Sequence, residues 1–506
     1  MKKHLKTLCL ILAALFCVSA LAACDGGDDS SIGGTSDNGA TAGDNLNYGP
    51  ADYGEFPFSG ELDPDDPIRI LCVDTERHKY GLQQFSYMEE LEGNTINSAV
   101  QERNNKLEEL YGITFEVSTE QYPSDQMAIL IQGNTDDYDV ICESVDRLAK
   151  GIPQGFYWAL DEHMDLSRPW WDDEAIDSLA LGSKHYLIAG DALLTDDDHT
   201  YLTLFNKKMY ENNAEVSKHG NIYDIVRNGD FTIDLYYEMC RAVSMPDENG
   251  AWTINATYGN LSHSYGATVM MNGCDIATVE KNEDNELYIT VMEENSVRAF
   301  DKVYALMSDD NNTIRAENIA GKSPTVTSQY GFAELEEMFV NEKGLFYNTA
   351  SQSVSILKSA NLEFELGVLP IPKLNKEQEN YCNTVNRYQS SALAIPVTVS
   401  EDRLEKVTFA LQALGFYNAD VIRAYYQTTL QLQGVQSDDD AEMLDIVYNN
   451  RFYDIGIIYE WGRLTSLYGT CIANSSTNTL SSTWESMQSQ VEIAMEAAVE
   501  AYENAG

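Results

Sequence analysis

The chain has 506 residues, with 32 Lys or Arg against 81 Asp or Glu, so its formal charge at neutral pH is −49. A surface this negative repels phosphate backbones and no stretch gathers basic residues, so the composition argues against nucleic-acid binding and favours a neutral or cationic ligand. Hydrophobic residues make up 43% and charged residues 22%, which is ordinary globular usage and excludes wholesale disorder. At this length we expect about two to four domain cores.

The first residues have the pattern of an export signal. Three lysines within the first six positions precede an apolar stretch from Leu8 to Leu21, which is too short for a stable membrane span. The stretch ends in Leu21-Ala22-Ala23-Cys24, which resembles the lipobox of bacterial lipoproteins. That resemblance implies that residues 1–23 are a signal peptide and that the Cys24 thiol carries a lipid such as palmitate. An ordinary secretory signal is the alternative.

Residues 24–66 form a predicted acidic, disordered linker between the lipid and the folded body. The stretch is rich in Gly, Asp, Ser and Asn, and such a composition buries too little apolar surface to offset the entropy lost on ordering. No other run approaches about 18 apolar residues, so the lipid is the only predicted membrane attachment. We expect the protein at the extracellular face of a bacterial cytoplasmic membrane.

Six cysteines follow the linker, and none has the spacing of a metal site. No CxxC or Cys/His pair occurs among them, so no metal or other cofactor is predicted. An exported chain can form disulfides, but two of the six lie in apolar strand-like runs, so we expect free, buried thiols. The six are Cys72, Cys142, Cys240, Cys274, Cys382 and Cys471.

Strands and helices alternate in the first part of the folded body. The predicted strands are 68–73, 113–117 and 138–142, and the predicted helices are 94–111 and 124–132. This order predicts an α/β fold with parallel strands and helices on the faces of the sheet. Ligands of such sheets bind beyond the carboxyl ends of the strands. In this sequence, polar residues follow the first and third predicted strands, at 74–77 and 143–147.

Helices dominate after residue 206. The predicted helices are 231–243, 296–307, 332–340, 400–417 and 481–502, with strands at 365–369 and 392–395. The acidic runs Asp196–Asp198 and Asp438–Asp440 lack the ligand spacing of a calcium loop, so we expect solvated loops there.

Seven short motifs occur in an order typical of one family. The motifs are YDVI at 138–141, GFYWALD at 155–161, PWWD at 169–172, YLIAG at 186–190, LFNK at 204–207, GDFT at 229–232 and FELGVLPIPK at 364–373. Each is weak alone, but together they resemble the extracellular solute-binding proteins of bacterial ABC transporters, specifically the maltose-binding-like cluster of family 1, over about residues 67–506.

The resemblance implies a two-lobed, periplasmic-binding-protein-like fold (a Venus flytrap). Each lobe is then an α/β sheet flanked by helices, and the chain crosses the hinge several times. Carried onto this sequence, lobe 1 comprises 67–203 plus 366–420, lobe 2 comprises 207–365 plus 421–506, and the crossings fall at 203–206, 362–367 and near 420.

The resemblance also implies a carbohydrate site between the lobes. Sugars are bound by aromatic faces and by charged or amide groups that bond hydroxyls. Asp146 and Arg147 follow the third strand, where the family has an acid–base pair; a structural ion pair is the alternative. Asp74 and Glu76, beyond the first strand, and Tyr347 and Asn348 are also predicted to bind the ligand. One of Trp170 and Trp171 is predicted to line the cleft, with the other in the core. Trp461 is predicted to be the stacking aromatic residue of lobe 2.

The predicted function is that of a monomeric, lipid-anchored binding protein that delivers a carbohydrate, expected to be an oligosaccharide, to an ABC permease. A binder of peptides or other nutrients with the same fold is the alternative, and a surface glycan-degrading enzyme is less favoured. No catalytic motif supports an enzyme. The segment Ser262–Gly266 has the spacing of a nucleophile elbow, but Ser replaces the first Gly and no strand is predicted before it.

Overall fold

The computed structural model describes residues 52–319, 331–432, 437–473 and 476–504. The predicted signal peptide, Cys24 and the first part of the predicted linker lie outside the described residues. Within the described ranges, no helix combines the length and the hydropathy needed to cross a membrane. The same ranges contain no group of three or more His, Cys, Asp or Glu side chains arranged to hold a metal ion.

The first sheet has three parallel strands and one antiparallel strand. They are β1 (Ile68–Val73), β2 (Phe115–Glu120), β3 (Val140–Ser144) and β12 (Ser391–Ala394), in the order β12–β3–β1–β2. β1 and β3 are buried almost throughout, which is typical of parallel strands covered by helices on both faces. β12 is antiparallel to β3, so this body, lobe 1, combines two distant parts of the chain.

The second sheet, which forms lobe 2, has five strands. They are β4 (Tyr201–Asn206), β5 (Tyr258–Ser262), β8 (Thr313–Arg315), β9 (Gly344–Ala350) and β10 (Leu366–Leu369), in the order β10–β4–β9–β5–β8. The prediction assigned 366–369 to lobe 1. This is corrected here, because Leu366 pairs with Asn206 and Leu369 with Thr203 across β10 and β4. The predicted end of lobe 1 at residue 203 and the predicted crossing at 203–206 also fall inside β4 of this sheet. The other lobe boundaries stay a prediction.

The remaining strands form two small sheets. β6 (Val279–Lys281) pairs with β7 (Leu287–Ile289), and β11 (Asn383–Thr384) pairs with β13 (Arg451–Phe452). The helices are α1 (Thr95–Tyr111), α2 (Pro123–Gln132), α3 (Val145–Ala149), α4 (Asp173–Leu179), α5 (Thr195–Asp198), α6 (Lys207–Asn212), α7 (Ala214–Ser217), α8 (Ile222–Arg227), α9 (Ile233–Val243), α10 (Gly266–Gly273), α11 (Glu294–Met307), α12 (Ala316–Ile319), α13 (Phe332–Val340), α14 (Gln352–Ser359), α15 (Glu401–Tyr417), α16 (Ala419–Leu432), α17 (Asp438–Tyr448), α18 (Ile455–Ile458), α19 (Leu467–Ile472) and α20 (Leu480–Asn504). Short 3₁₀ helices cover Glu89–Leu91, Ile152–Gln154 and Trp461–Ser466.

The predicted elements are confirmed, with shifts at their ends. Helix α13 has the predicted bounds, and α1 begins after Asn94, whose side chain accepts a hydrogen bond from the Asn97 N–H. The strand predicted from residue 113 begins at Phe115 instead. Ile113 is buried because it follows the helix end, where its N–H bonds to the Leu107 carbonyl.

The part of the predicted linker from residue 52 onward belongs to the folded body. Phe56 lies 5.4 Å from Tyr111 between ring centroids, and Tyr53 lies 5.8 Å from Trp170. The Tyr53 hydroxyl also donates to the Asp191 carboxylate. Aromatic side chains therefore hold this segment on lobe 1, although its overall composition predicted disorder.

The prediction that both acidic runs are solvated loops is wrong. Asp196–Asp198 form α5 and are buried, and Asp197 forms an ion pair with Arg451 of β13. The run Asp438–Asp440 is the first turn of α17, and Asp440 is fully buried with its carboxylate 2.6 Å from Lys207 Nζ. Asp196–Asp198 and Asp440 are buried where an opposite charge from a distant part of the chain meets them, whereas Asp438 is exposed and Asp439 is partly exposed.

Burial raises the pKa of Asp196 to about 7, with Arg451 opposing this shift and the carboxylates of Asp197 and Asp172 adding to it. A carboxyl group with a higher pKa in the folded protein binds its proton more tightly there than in the unfolded chain. Its contribution to stability is therefore present at low pH and is lost as the pH rises from about 4 to about 7.

We therefore expect Asp196→Asn to flatten the pH dependence of stability. The fall in the free energy of unfolding between pH 5 and pH 8 should be smaller in the variant by about 1–3 kcal/mol, since the amide does not ionise. Urea unfolding at both pH values measures this. Asp224→Asn, at a carboxylate with 62% side-chain exposure, is the control, and a fall in Asp196→Asn equal to that of the control would contradict the prediction.

Candidate functional site

The carboxyl ends of the parallel strands in the two sheets meet at the hinge. Ser391, at the start of β12, pairs with Ser144 at the end of β3, and Tyr201, at the start of β4, pairs with Ala350 at the end of β9. The Ser391 N–H donates to Thr195 Oγ1 at 3.1 Å. The short crossing 195–201 thus joins the two strand edges, and the crevice between them, called the cleft below, is the candidate ligand site.

Three rings lie together on the lobe 2 side of the cleft. His263 and Tyr265 directly follow β5, and the His263 ring centroid lies 5.7 Å from Tyr201 and 6.2 Å from Tyr265. Burial lowers the pKa of His263 to about 4 against the opposing charge of Glu317, so its imidazole is neutral at physiological pH and has one donor and one acceptor. The buried Tyr265 hydroxyl has no hydrogen-bond partner among the described residues.

The opposite side of the cleft presents Tyr388, whose residue surface is 43% exposed. Arg387, only 1% exposed, donates from Nη2 to the Tyr388 hydroxyl at 2.8 Å. Burial raises the pKa of Tyr265, and the charge of Arg387 opposes that shift. An exposed ring held by a buried guanidinium suits stacking on a sugar face.

Basic residues gather at the lobe 1 edge of the cleft, and each is paired. Arg77 lies 2.7 Å from Glu143, and Arg147 lies 2.6 Å from Asp125. Both guanidinium groups also approach the Tyr122 ring, at 5.0 and 4.6 Å from its centroid. The charges of these two guanidinium groups are therefore balanced by carboxylates at the same edge.

Four of the predicted site residues lie at this edge. Asp74 accepts a hydrogen bond from the Arg77 N–H at 2.9 Å, and Glu76 is exposed. Asp146 and Arg147 follow β3 and are not paired with each other: Asp146 accepts from Ser144 Oγ at 2.9 Å. Their contact with a ligand stays a prediction.

The predicted placement of Trp170 or Trp171 in the cleft is wrong. The residues are 2% and 5% exposed, and both indole N–H groups donate to Gln412 Oε1, at 2.9 and 3.0 Å. Both rings therefore lie in the lobe 1 core. Trp171 also lines a cavity of about 530 Å³ together with Asp172 and Arg451, and none of the cleft rings described above lines that cavity.

The predicted placement of Tyr347 and Asn348 is also wrong. Both lie within β9, between β4 and β5, and are 3% and 0% exposed. Asn348 Nδ2 donates to Thr203 Oγ1 at 3.0 Å on the neighbouring strand. A position in the middle of a covered central strand keeps both side chains away from a ligand at the strand ends.

Trp461 lies in the core rather than in the cleft. It is 4% exposed and stacks on Tyr459, with ring centroids 5.2 Å apart and 25° between the planes. The prediction that this indole is the stacking surface of lobe 2 is therefore corrected.

Sequence reasoning missed His263, Tyr265, Arg387 and Tyr388. The prediction that no strand precedes Ser262 is wrong, because β5 ends there and α10 begins at Gly266. The strand was missed because YGNLS contains Gly and Asn, which are rare in strands. Arg387 and Tyr388 lie in an irregular segment of the hinge. This segment contains no sequence motif that indicates a binding role.

Because Trp461 is buried, we expect Trp461→Ala to lower the free energy of unfolding by about 3–5 kcal/mol, the usual effect of truncating a core aromatic. Thermal unfolding without ligand measures this. Trp252→Ala, at a partly buried indole in another cluster, is the comparison and should cost less. A Trp461→Ala protein with an unchanged melting temperature would contradict the core placement.

The chain matches no protein-family model and no curated protein, but it resembles solved structures. It covers 98% of a cyclo/maltodextrin-binding protein complexed with maltotetraose, with 88% of this chain aligned, 13% identity and a TM-score of 0.53. It covers 98% of UgpB from Mycobacterium tuberculosis in complex with glycerophosphocholine, with 85% aligned, 13% identity and a TM-score of 0.52.

A third structure, UspC from M. tuberculosis, is covered completely, with 85% of this chain aligned, 11% identity and a TM-score of 0.51. Identities this low establish the fold alone. The predicted architecture is confirmed: the chain has the two-lobed fold of the periplasmic solute-binding proteins.

Proposed function

We propose that this protein captures a carbohydrate between its two lobes and delivers it to an ABC permease. The observation that carries the proposal is the exposed Tyr388 ring, held by buried Arg387, together with the adjacent His263 and Tyr265 rings that follow β5. Rings that stack on sugar faces and neutral polar groups that bond hydroxyls are the chemistry of carbohydrate sites. The likeness in fold to a maltodextrin-binding protein supports the same reading.

Closure is a hinge motion in this proposal. A ligand that contacts both sides of the cleft contributes binding energy only when the lobes are together, so it shifts the population toward the closed form. The crossing at 195–201 and the paired segments β11 and β13 are the parts of the chain that would flex. No reaction is part of the cycle, and a bound glycan should be recovered unchanged.

The ligand class can be tested by titration calorimetry. The panel contains neutral malto-, cello- and xylo-oligosaccharides, with glycerophosphocholine and a tripeptide as representatives of other nutrients. We expect binding of at least one glycan, and at least about a tenfold loss of affinity in Tyr388→Ala, because truncated stacking residues cost about 2 kcal/mol or more.

Tyr288→Ala is the matched control, since Tyr288 is 37% exposed on the β6–β7 hairpin and should keep its affinity. If the phosphodiester or the peptide binds while no glycan does, the proposal fails in favour of another nutrient binder. Release of shorter sugars from a bound glycan would point to the enzyme alternative.

We also propose that Cys24 carries a lipid and is the membrane anchor of a monomeric protein at the extracellular face of the cell membrane. The lipobox-like sequence supports this. Cys24→Ala should move the protein from the membrane fraction to the soluble fraction or leave its signal uncleaved. Cys382→Ala, at a partly buried thiol of the folded body, is the control. Complete retention of Cys24→Ala in washed membranes would contradict the anchor.

A further inference from the structure

The turn that precedes the last two helices has an unusual backbone. Three of its four residues, Glu460, Gly462 and Arg463, have left-handed φ angles of 57°, 52° and 71°. Glutamate and arginine adopt this region at an energetic cost, and such strain persists only where the surrounding structure imposes it. Residues held in this way are frequent at binding sites.

Packing on both sides imposes the turn. A Cβ at Gly462 would lie 2.5 Å from the backbone nitrogen of Val491, so α20 leaves room only for glycine. Trp461 points inward and stacks on Tyr459. With the indole turned into the core, the neighbouring Glu460 side chain points outward and is 37% exposed.

The Glu460 carboxylate lies between two cations of the cleft. Its Oε2 is 3.1 Å from Arg387 Nη2 and 3.5 Å from Lys150 Nζ. Arg387 is also the residue that holds Tyr388, and Lys150 directly follows α3, the helix that contains Asp146 and Arg147 at the lobe 1 edge. The carboxylate therefore lies beside the exposed ring.

This carboxylate can accept further hydrogen bonds. The closest approach of both cations is to Oε2, and a carboxylate has about four lone-pair sites on its two oxygens. Burial raises the pKa of Glu460, but Arg387 and Lys150 outweigh that effect and hold the pKa below its ordinary value. The group is therefore a permanently charged acceptor at neutral pH.

We propose that Glu460 is a ligand-contacting residue of the cleft, whose carboxylate accepts hydrogen bonds from the hydroxyls of a neutral sugar and disfavours anionic sugars. This inference rests on the proposed carbohydrate function. A carboxylate accepts hydrogen bonds from the paired hydroxyls of a sugar. It cannot donate a hydrogen bond to a uronate or sulfate group, and it repels such a group because both are negatively charged. The aromatic contact expected from Trp461 is thus replaced by a charged one.

The test compares Glu460→Gln with Glu342→Gln. Glu342 is a matched control because it is also left-handed, with φ 57°, and pairs with Lys208 at 2.7 Å, but it lies beside the start of β9, at the strand end opposite the cleft. Calorimetry uses maltotriose, cellotriose and xylotriose as neutral probes and trigalacturonate as the anionic probe.

We expect Glu460→Gln to lower the affinity for the neutral trisaccharide that binds wild type by about tenfold or more, as for hydrogen bonds to charged groups. Its preference for neutral over anionic trisaccharide should also fall. Glu342→Gln should behave as wild type. Glu460→Gly, which relieves the left-handed backbone and removes the carboxylate, should fold and show the same loss of affinity.

Two outcomes would overturn the inference in different ways. If wild type and Glu460→Gln bind the neutral trisaccharides equally, Glu460 does not contact the ligand and the inference fails while the proposed function stands. If wild type binds none of the trisaccharides but does bind the tripeptide or glycerophosphocholine of the panel, the proposed function fails and the inference fails with it.

Discussion

The organisation of the cleft depends on one buried cation, Arg387. Its Nη1 donates to the Ile457 carbonyl and to that of Ile458 at 3.2 Å, and its Nη2 reaches Tyr388 and Glu460. A buried guanidinium is stabilised by the groups that accept its hydrogen bonds, so the hinge segment and the end of α18 are held around Arg387, although its Nε has no hydrogen-bond partner among the described residues. The exposed ring and the outward carboxylate are positioned by the same group.

A second arginine at the hinge, Arg451, is partly buried and has more acidic partners than one positive charge can neutralise. Arg451 of β13 pairs with Asp197 and lies 3.5 Å from Asp172 and 3.9 Å from Asp196. One positive charge cannot neutralise three carboxylates, and burial is the main cause of the raised pKa values of Asp196 and Asp197. The charge state of the link between the lobes therefore depends on pH, whereas the apolar side chains of the hydrophobic cores do not titrate.

The periodicity of the sequence identified most of the long helices but missed α16 and α17, and it identified few of the site residues. Helices such as α1 and α13 repeat apolar residues at helical spacing and carry their own end signals, so local sequence defines them. Family-based placement of aromatic residues failed at Trp170, Trp171, Tyr347 and Trp461, because an aromatic side chain fills a core as readily as it lines a site.

The sequence by itself determined the α/β class, the alternation of strands and helices, and the polar strand ends at which a ligand would bind, because these follow from local propensity and hydrophobic period. Only the tertiary structure decided that the acidic run at 196–198 is buried, that β10 joins the sheet of lobe 2, and that Glu460 rather than Trp461 points outward. These outcomes depend on partners distant in the chain, namely Arg451, β4 and helix α20, and a local pattern contains no information about which distant partner a residue will meet.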